Sequence, residues 1–93
     1  MKIAVREFGG PRHIILDATQ TRLFQEELRR IRRHFPAGKG APRLAAPDCV
    51  IAMANGKKRT EYELYAGAIL LEKKTKKTWQ FYFGVLLLEW LSK

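Results

Sequence analysis

Polar and apolar residues alternate at the start of the chain. Ile3 and Val5 stand between Lys2, Ala4 and Arg6, a period of two that predicts a short half-buried strand over Lys2 to Phe8. Gly9, Gly10 and Pro11 break it, and His13 to Leu16 reads as the returning arm of a hairpin. The period then changes. Phe24, Leu28, Ile31 and Phe35 recur at spacings of 4, 3 and 4, which puts them in one narrow stripe of an α-helix. Asp17 can cap that helix, with Gln20 three residues on in the position a capping box requires. A helix over Ala18 to His34 follows, ended by Pro36 and Gly38.

From Pro36 to Asp48 no periodicity survives, and proline and glycine mark a loop between the helix and a C-terminal sheet. Cys49 to Ala54 is a buried-looking strand. Asn55 and Gly56 then predict a tight type I′ turn, so that Lys57 onward returns as an antiparallel neighbour running into Thr60 to Tyr65.

The aromatic-rich stretch Thr60 to Leu91 organises the rest, and it admits two readings. In the favoured one, a single long, bent hairpin runs from about Thr60 to Leu88. Its tip is Lys73, Lys74, Thr75, Lys76 and Lys77, Glu72 stands opposite Trp79, and Gly67 therefore opposite Gly84. In the other, Ala66, Gly67 and Ala68 form a turn and Val85 to Ser92 a short helix, since Leu86, Leu87, Leu88 and Leu91 are good helix formers. The difference bears on charge. A turn at Gly67 brings Lys57, Lys58 and Arg59 to the same end of the sheet as Lys73 to Lys77; a straight strand sends the two clusters to opposite ends.

The expected fold class is thus α+β: a small antiparallel sheet in the order β-β-α-β-β-β, with a short C-terminal helix as the alternative last element, packed against one amphipathic helix. At 93 residues the chain is expected to be one domain, 1–93, with a single modest core. Eighteen Lys and Arg against nine Asp and Glu give a formal charge of +9. Such a field favours nucleic acid, an acidic protein surface or an anionic membrane face. Cys49 is the one cysteine, which excludes an internal disulfide. The residues after Met1 lack the apolar core of a signal peptide, and Phe81 to Leu88 falls far short of the roughly 18 to 20 residues needed to span a bilayer. A cytoplasmic protein without membrane insertion is the expectation.

Candidate chemistry is sparse. His13, His34 and Cys49 are isolated from one another, so no metal site and no cofactor is expected. Gly38, Lys39 and Gly40 lack the rest of a phosphate-loop pattern. The carboxylates are interleaved with basic groups rather than clustered, and a lone Cys49 at the start of an apolar strand reads as packing. The chain is read as no enzyme; a metal-independent ribonuclease using His13 or His34 has no ordered signature but stays open.

Binding is the better-supported class. Lys57, Lys58, Arg59, Lys73, Lys74, Lys76 and Lys77 at the hairpin tips, with Arg22, Arg29 and Arg33 within about 40° on one helix face, are the candidate phosphate contacts. The plainer reading of the arginines is a solvated face with Glu26 among them. Phe81 and Phe83 are assigned to the helix stripe as core, leaving Trp79, Tyr62 and Tyr82 as candidates for exposure and base stacking. Val85 to Leu91 is apolar apart from Glu89, which marks Trp90, Leu88 and Leu91 as a candidate interface. The leading expectation is a non-catalytic nucleic-acid-binding module. The alternative is a protein-interaction module, an inhibitor, immunity-type protein or accessory subunit, that docks to an acidic partner or homodimerises through its C-terminal segment.

Overall fold

A computed structural model describes residues 1–34, 38–39 and 46–93 of the chain. The alternating start forms β1 (Lys2–Glu7) and β2 (His13–Ile15), paired antiparallel with Val5 opposite Ile14. The helix follows as α1 (Ala18–His34). Its capping box is complete: the Gln20 amide donates to Asp17 Oδ1 at 2.8 Å and the Asp17 amide to Gln20 Oε1 at 3.0 Å, which satisfies two N–H groups a helix start would leave without partners. A two-residue strand, β3 (Gly38–Lys39), precedes β4 (Cys49–Asn55) and β5 (Lys58–Tyr65). The remainder of the expected loop over Pro36 to Asp48, and Phe35 of the helix stripe, lie largely outside the described residues; Ala46, Pro47 and Asp48 lead into β4 without regular structure.

The long bent hairpin does not form. Tyr65 is followed by a turn, then β6 (Ile69–Glu72), β7 (Lys77–Gln80) and a second helix, α2 (Gly84–Ser92). Ala66 and Gly67 both take positive φ, 52° and 66°, and the Ala68 amide donates to the Tyr65 carbonyl at 3.1 Å. Two successive left-handed residues reverse a chain with the twist strands prefer. The expected register shifts as well: Leu70, not Glu72, lies opposite Trp79. Gly67 and Gly84 do meet, but as turn against helix. A Cβ on Gly84 would stand 2.6 Å from the Gly67 carbonyl oxygen and 2.7 Å from Leu64 Cδ1, so α2 can begin there only on a residue without one.

The result is an α+β fold: one antiparallel sheet of six strands of three or more residues plus β3, in the order β2-β1-β4-β5-β6-β7-β3, with two helices. Side chains directly opposite one another share a face. One face therefore carries Ile3 and Val5 of β1, Ile51 of β4, Tyr62 and Leu64 of β5, Leu70 of β6 and Trp79 of β7. All are buried, in one cluster with Phe24, Leu28 and Ile31 of α1 and Leu87 and Leu91 of α2, so both helices cover this face. Phe81 and Phe83 pack edge-on against Phe24 at 5.6 and 6.4 Å between ring centroids, the place expected for them. The other face carries Lys2, Arg6, Arg59, Glu61 and Glu63, with Tyr65 and Leu71 buried among its side chains.

Candidate functional site

The turn at 66–68 decides where the charge goes. β5 runs away from the β4–β5 turn and β6 runs back, so the β4–β5 turn and the β6–β7 connection lie side by side at one end of the sheet. At the first, Asn55 pairs with Lys58 and only Gly56, at φ 63°, is left-handed. That is the pattern of a II′ turn with glycine in its first central place, one residue along from the expected I′ turn on Asn55 and Gly56, and it sets Lys57 at the apex. At the second, Lys76 itself is left-handed, at φ 61°. The two tips flank an open groove of about 820 Å³ lined by Lys57, Lys58, Arg59, Thr60, Glu61, Glu72, Lys73 and Lys74.

All seven tip cations are exposed, and only Lys73 is in an ion pair among the described residues, with Glu61 at 3.2 Å. The other carboxylate at this end, Glu72, is held from two sides. Thr75 Oγ1 donates to it at 2.6 Å, and Arg32 reaches from α1 to make an ion pair at 2.9 Å. Arg32 also donates to Tyr62 Oη at 2.6 Å and lies over the rings of Tyr62 and Trp79 at 5.9 and 5.5 Å. Desolvation raises the Tyr62 phenol above its usual range, the nearby Arg32 charge pulls it down, and Glu72 pushes it up again. Arg32 thus closes the end of the helix onto the sheet and leaves Lys57, Lys58, Arg59, Lys74, Lys76 and Lys77 without an ion pair among the described residues.

The helix arginines divide. Arg22 pairs with Glu26 at 3.4 Å, while Glu27 holds Arg30 and raises its already high pKa. Arg29 and Arg33 are exposed and make no ion pair among the described residues. They flank Arg32 on α1, which links that stripe to the β6–β7 tip. The sequence pattern does not single out Arg32, because its role depends on strand register, which no local pattern carries.

Comparison with protein-family models, with curated proteins and with solved structures gives no match. The site has to be read from its own chemistry.

Tyr62 and Trp79 are not available for stacking. Both are buried beneath Arg32, at 1% and 7% exposure. Tyr82 is exposed, but it lies beyond β7 at the end of the sheet away from the tips. The C-terminal candidates separate too. Leu91 is in the core, Trp90 is half-buried against Phe83 at 5.5 Å between ring centroids, and Leu88 is half-buried near Gly67. Leu91 therefore drops out of the candidate interface, and Val85, which the sequence reading did not single out, is exposed. The Cys49 thiol is fully buried on the helix-covered face; burial, with the Asp48 charge adding to it, pushes its pKa up to about 12. A thiol held protonated in this way is a poor nucleophile. Among the described residues no three His, Cys, Asp or Glu side chains converge as a metal site. No described helix is long and apolar enough to cross a membrane.

Proposed function

We propose that this chain is a nucleic-acid-binding module, acting in the cytoplasm without catalysis, that holds phosphates at the tip end of its sheet. The observation that carries the reading is the pairing of the tips: Lys57, Lys58 and Arg59 from one and Lys73 and Lys74 from the other, distant in sequence, line one groove, and the carboxylates nearest to them are engaged by Lys73, Arg32 and Thr75. Lysine and arginine at such a site release condensed counterions when they neutralise phosphates, so affinity falls steeply with salt. Arg29 and Arg33 extend the same field along α1.

Binding of labelled DNA and RNA at ~50 and ~200 mM salt tests the reading. If about six phosphates are contacted, affinity drops by about 10³ between those concentrations. Failure to bind either polymer at the lower salt contradicts the proposal. The alternative, docking to an acidic protein or self-association through the C-terminal segment, draws support from the exposure of Tyr82 and Val85. Sedimentation of the purified chain separates it: concentration-dependent association that salt does not weaken favours the apolar surface.

A further inference from the structure

The placement of the rings at this site narrows the kind of nucleic acid it suits. Proteins that hold single strands combine cations with aromatic faces on which bases stack, each stack contributing about 1–3 kcal/mol. Among the described residues, the rings nearest the cations, Tyr62 and Trp79, face inward and are capped by the Arg32 guanidinium. The exposed rings Phe8 and Tyr82 lie at the far end of the sheet, where β1 ends and β7 has already run out. What the tip end offers instead is charge on two parallel ridges. The β4–β5 and β6–β7 hairpins are adjacent, so across the sheet their axes stand two strand spacings apart, about 10 Å, with the β4–β5 tip projecting further along the strands, since Lys73 lies level with Glu61. The phosphate rows bordering a groove of a double helix are separated by a comparable distance, since the minor and major grooves of B-DNA are about 6 and 12 Å wide.

From this the geometry points to double-stranded nucleic acid as the ligand class, with the two tips contacting phosphates on opposite strands across one groove and no base stacked on the protein. The inference rests on the nucleic-acid reading above and goes one step further. Tip 57–59 takes one phosphate row and tip 73–77 the other; Lys76 and Lys77 contribute from the outer side of the second ridge. Recognition is by charge and groove spacing, so it is tolerant of sequence. A duplex also presents one charge per about 1.7 Å of axis and returns more counterions per contact than a single strand, with salt slopes of about 0.9 against 0.7 per phosphate.

The test measures fluorescence anisotropy of the full chain with labelled 20-nucleotide probes at ~50 mM salt: a mixed-sequence DNA duplex, an RNA duplex of the same sequence, and oligo-dT as an unstructured single strand. The expected result is at least about tenfold tighter binding to one or both duplexes than to oligo-dT. Equal or tighter binding of the single strand overturns the duplex assignment while leaving nucleic-acid binding intact. No binding of any probe overturns both. Two variants test the straddling: Lys57→Ala/Lys58→Ala/Arg59→Ala and Lys74→Ala/Lys76→Ala/Lys77→Ala, all at exposed positions without ion pairs among the described residues. Each is expected to flatten the salt slope on the duplex by roughly 3. A loss confined to one of them shows a single tip at work and overturns the two-row geometry.

Discussion

Lys76 is the residue at which structure and charge pull in different directions. A β-carbon in the left-handed region costs about 1–2 kcal/mol relative to the ordinary backbone, and glycine escapes that cost. The β6–β7 tip nevertheless turns on a lysine at φ 61°. Lys76→Gly is therefore expected to raise the stability measured by urea unfolding by up to about 1 kcal/mol, less what glycine loses in entropy. It is expected at the same time to flatten the salt dependence of duplex binding by about 1. Opposite signs in the two measurements identify a position where binding is kept at the expense of stability.

Cys49 gives a second expectation at this scale. Its folded pKa is raised to about 12 from an ordinary value of 9.0, so the folded state holds the thiol proton more tightly than the unfolded chain does. The stabilisation is complete below about pH 9 and is lost as pH rises toward about 12. Tyr62 and Tyr65, both raised chiefly by desolvation, act in the same direction. The urea midpoint of the chain should fall across that alkaline range, and Cys49→Val should make the fall shallower. A midpoint that rises with alkaline pH would contradict the sign.

At the scale of elements, the start of α2 is set by steric contact rather than by helix propensity. Gly84→Ala improves intrinsic propensity by about 0.8–1 kcal/mol, but it drives a methyl group into the Gly67 carbonyl and Leu64. Overpacking of this kind costs about 1–3 kcal/mol, more where backbone must move, and is expected to win. The variant should unfold at lower urea, with a changed near-ultraviolet signal from Trp90 as α2 lifts. A gain in stability would show that propensity dominates.

Much of the element pattern could be read from the chain, and the failures have identifiable causes. The capping box of Asp17 and Gln20, the stripe of Phe24, Leu28 and Ile31 and the alternation of Ile3 and Val5 are local signals, and each element stands where they placed it. The turn after Tyr65 is hard to read from sequence because the match of Gly67 with Gly84 suggests a paired bend instead, and because its first left-handed residue is Ala66, a residue type that does not advertise that conformation. The helix over Gly84–Ser92 was equally hard to separate from a strand, since Val85 to Leu88 is apolar without a period. The seven tip cations could be named from sequence, but whether they shared an end depended on that one turn. The burial of Tyr62 and Trp79 depends on helices folding over that face, where Arg32 adds a contact made over 40 residues to Glu72.

For the molecule as a whole, the consequence is polarity. The tip end carries seven exposed cations, and the other end carries Phe8, Tyr82 and Val85 exposed together with Arg6 and Arg12. Arg32 is the joint between helix charge and sheet charge. Arg32→Ala strips Glu72, whose side chain is only 14% exposed, of its cation and Tyr62 of a donor. Losing a charged hydrogen bond at such a site costs about 1–3 kcal/mol in unfolding free energy. Arg32→Lys, which keeps the charge but not the planar fork, should recover only part of it.

The gathering of two distant cationic segments onto one ligand is most directly measured by following backbone amide resonances of the isotope-labelled chain while a short nucleic-acid duplex is added at low salt. The account expects the shifts to fall together on residues 56–59 and 73–77, with Arg32 moving alongside them. Shifts restricted to one tip, or centred on Phe8, Tyr82 and Val85 at the opposite end, would contradict it.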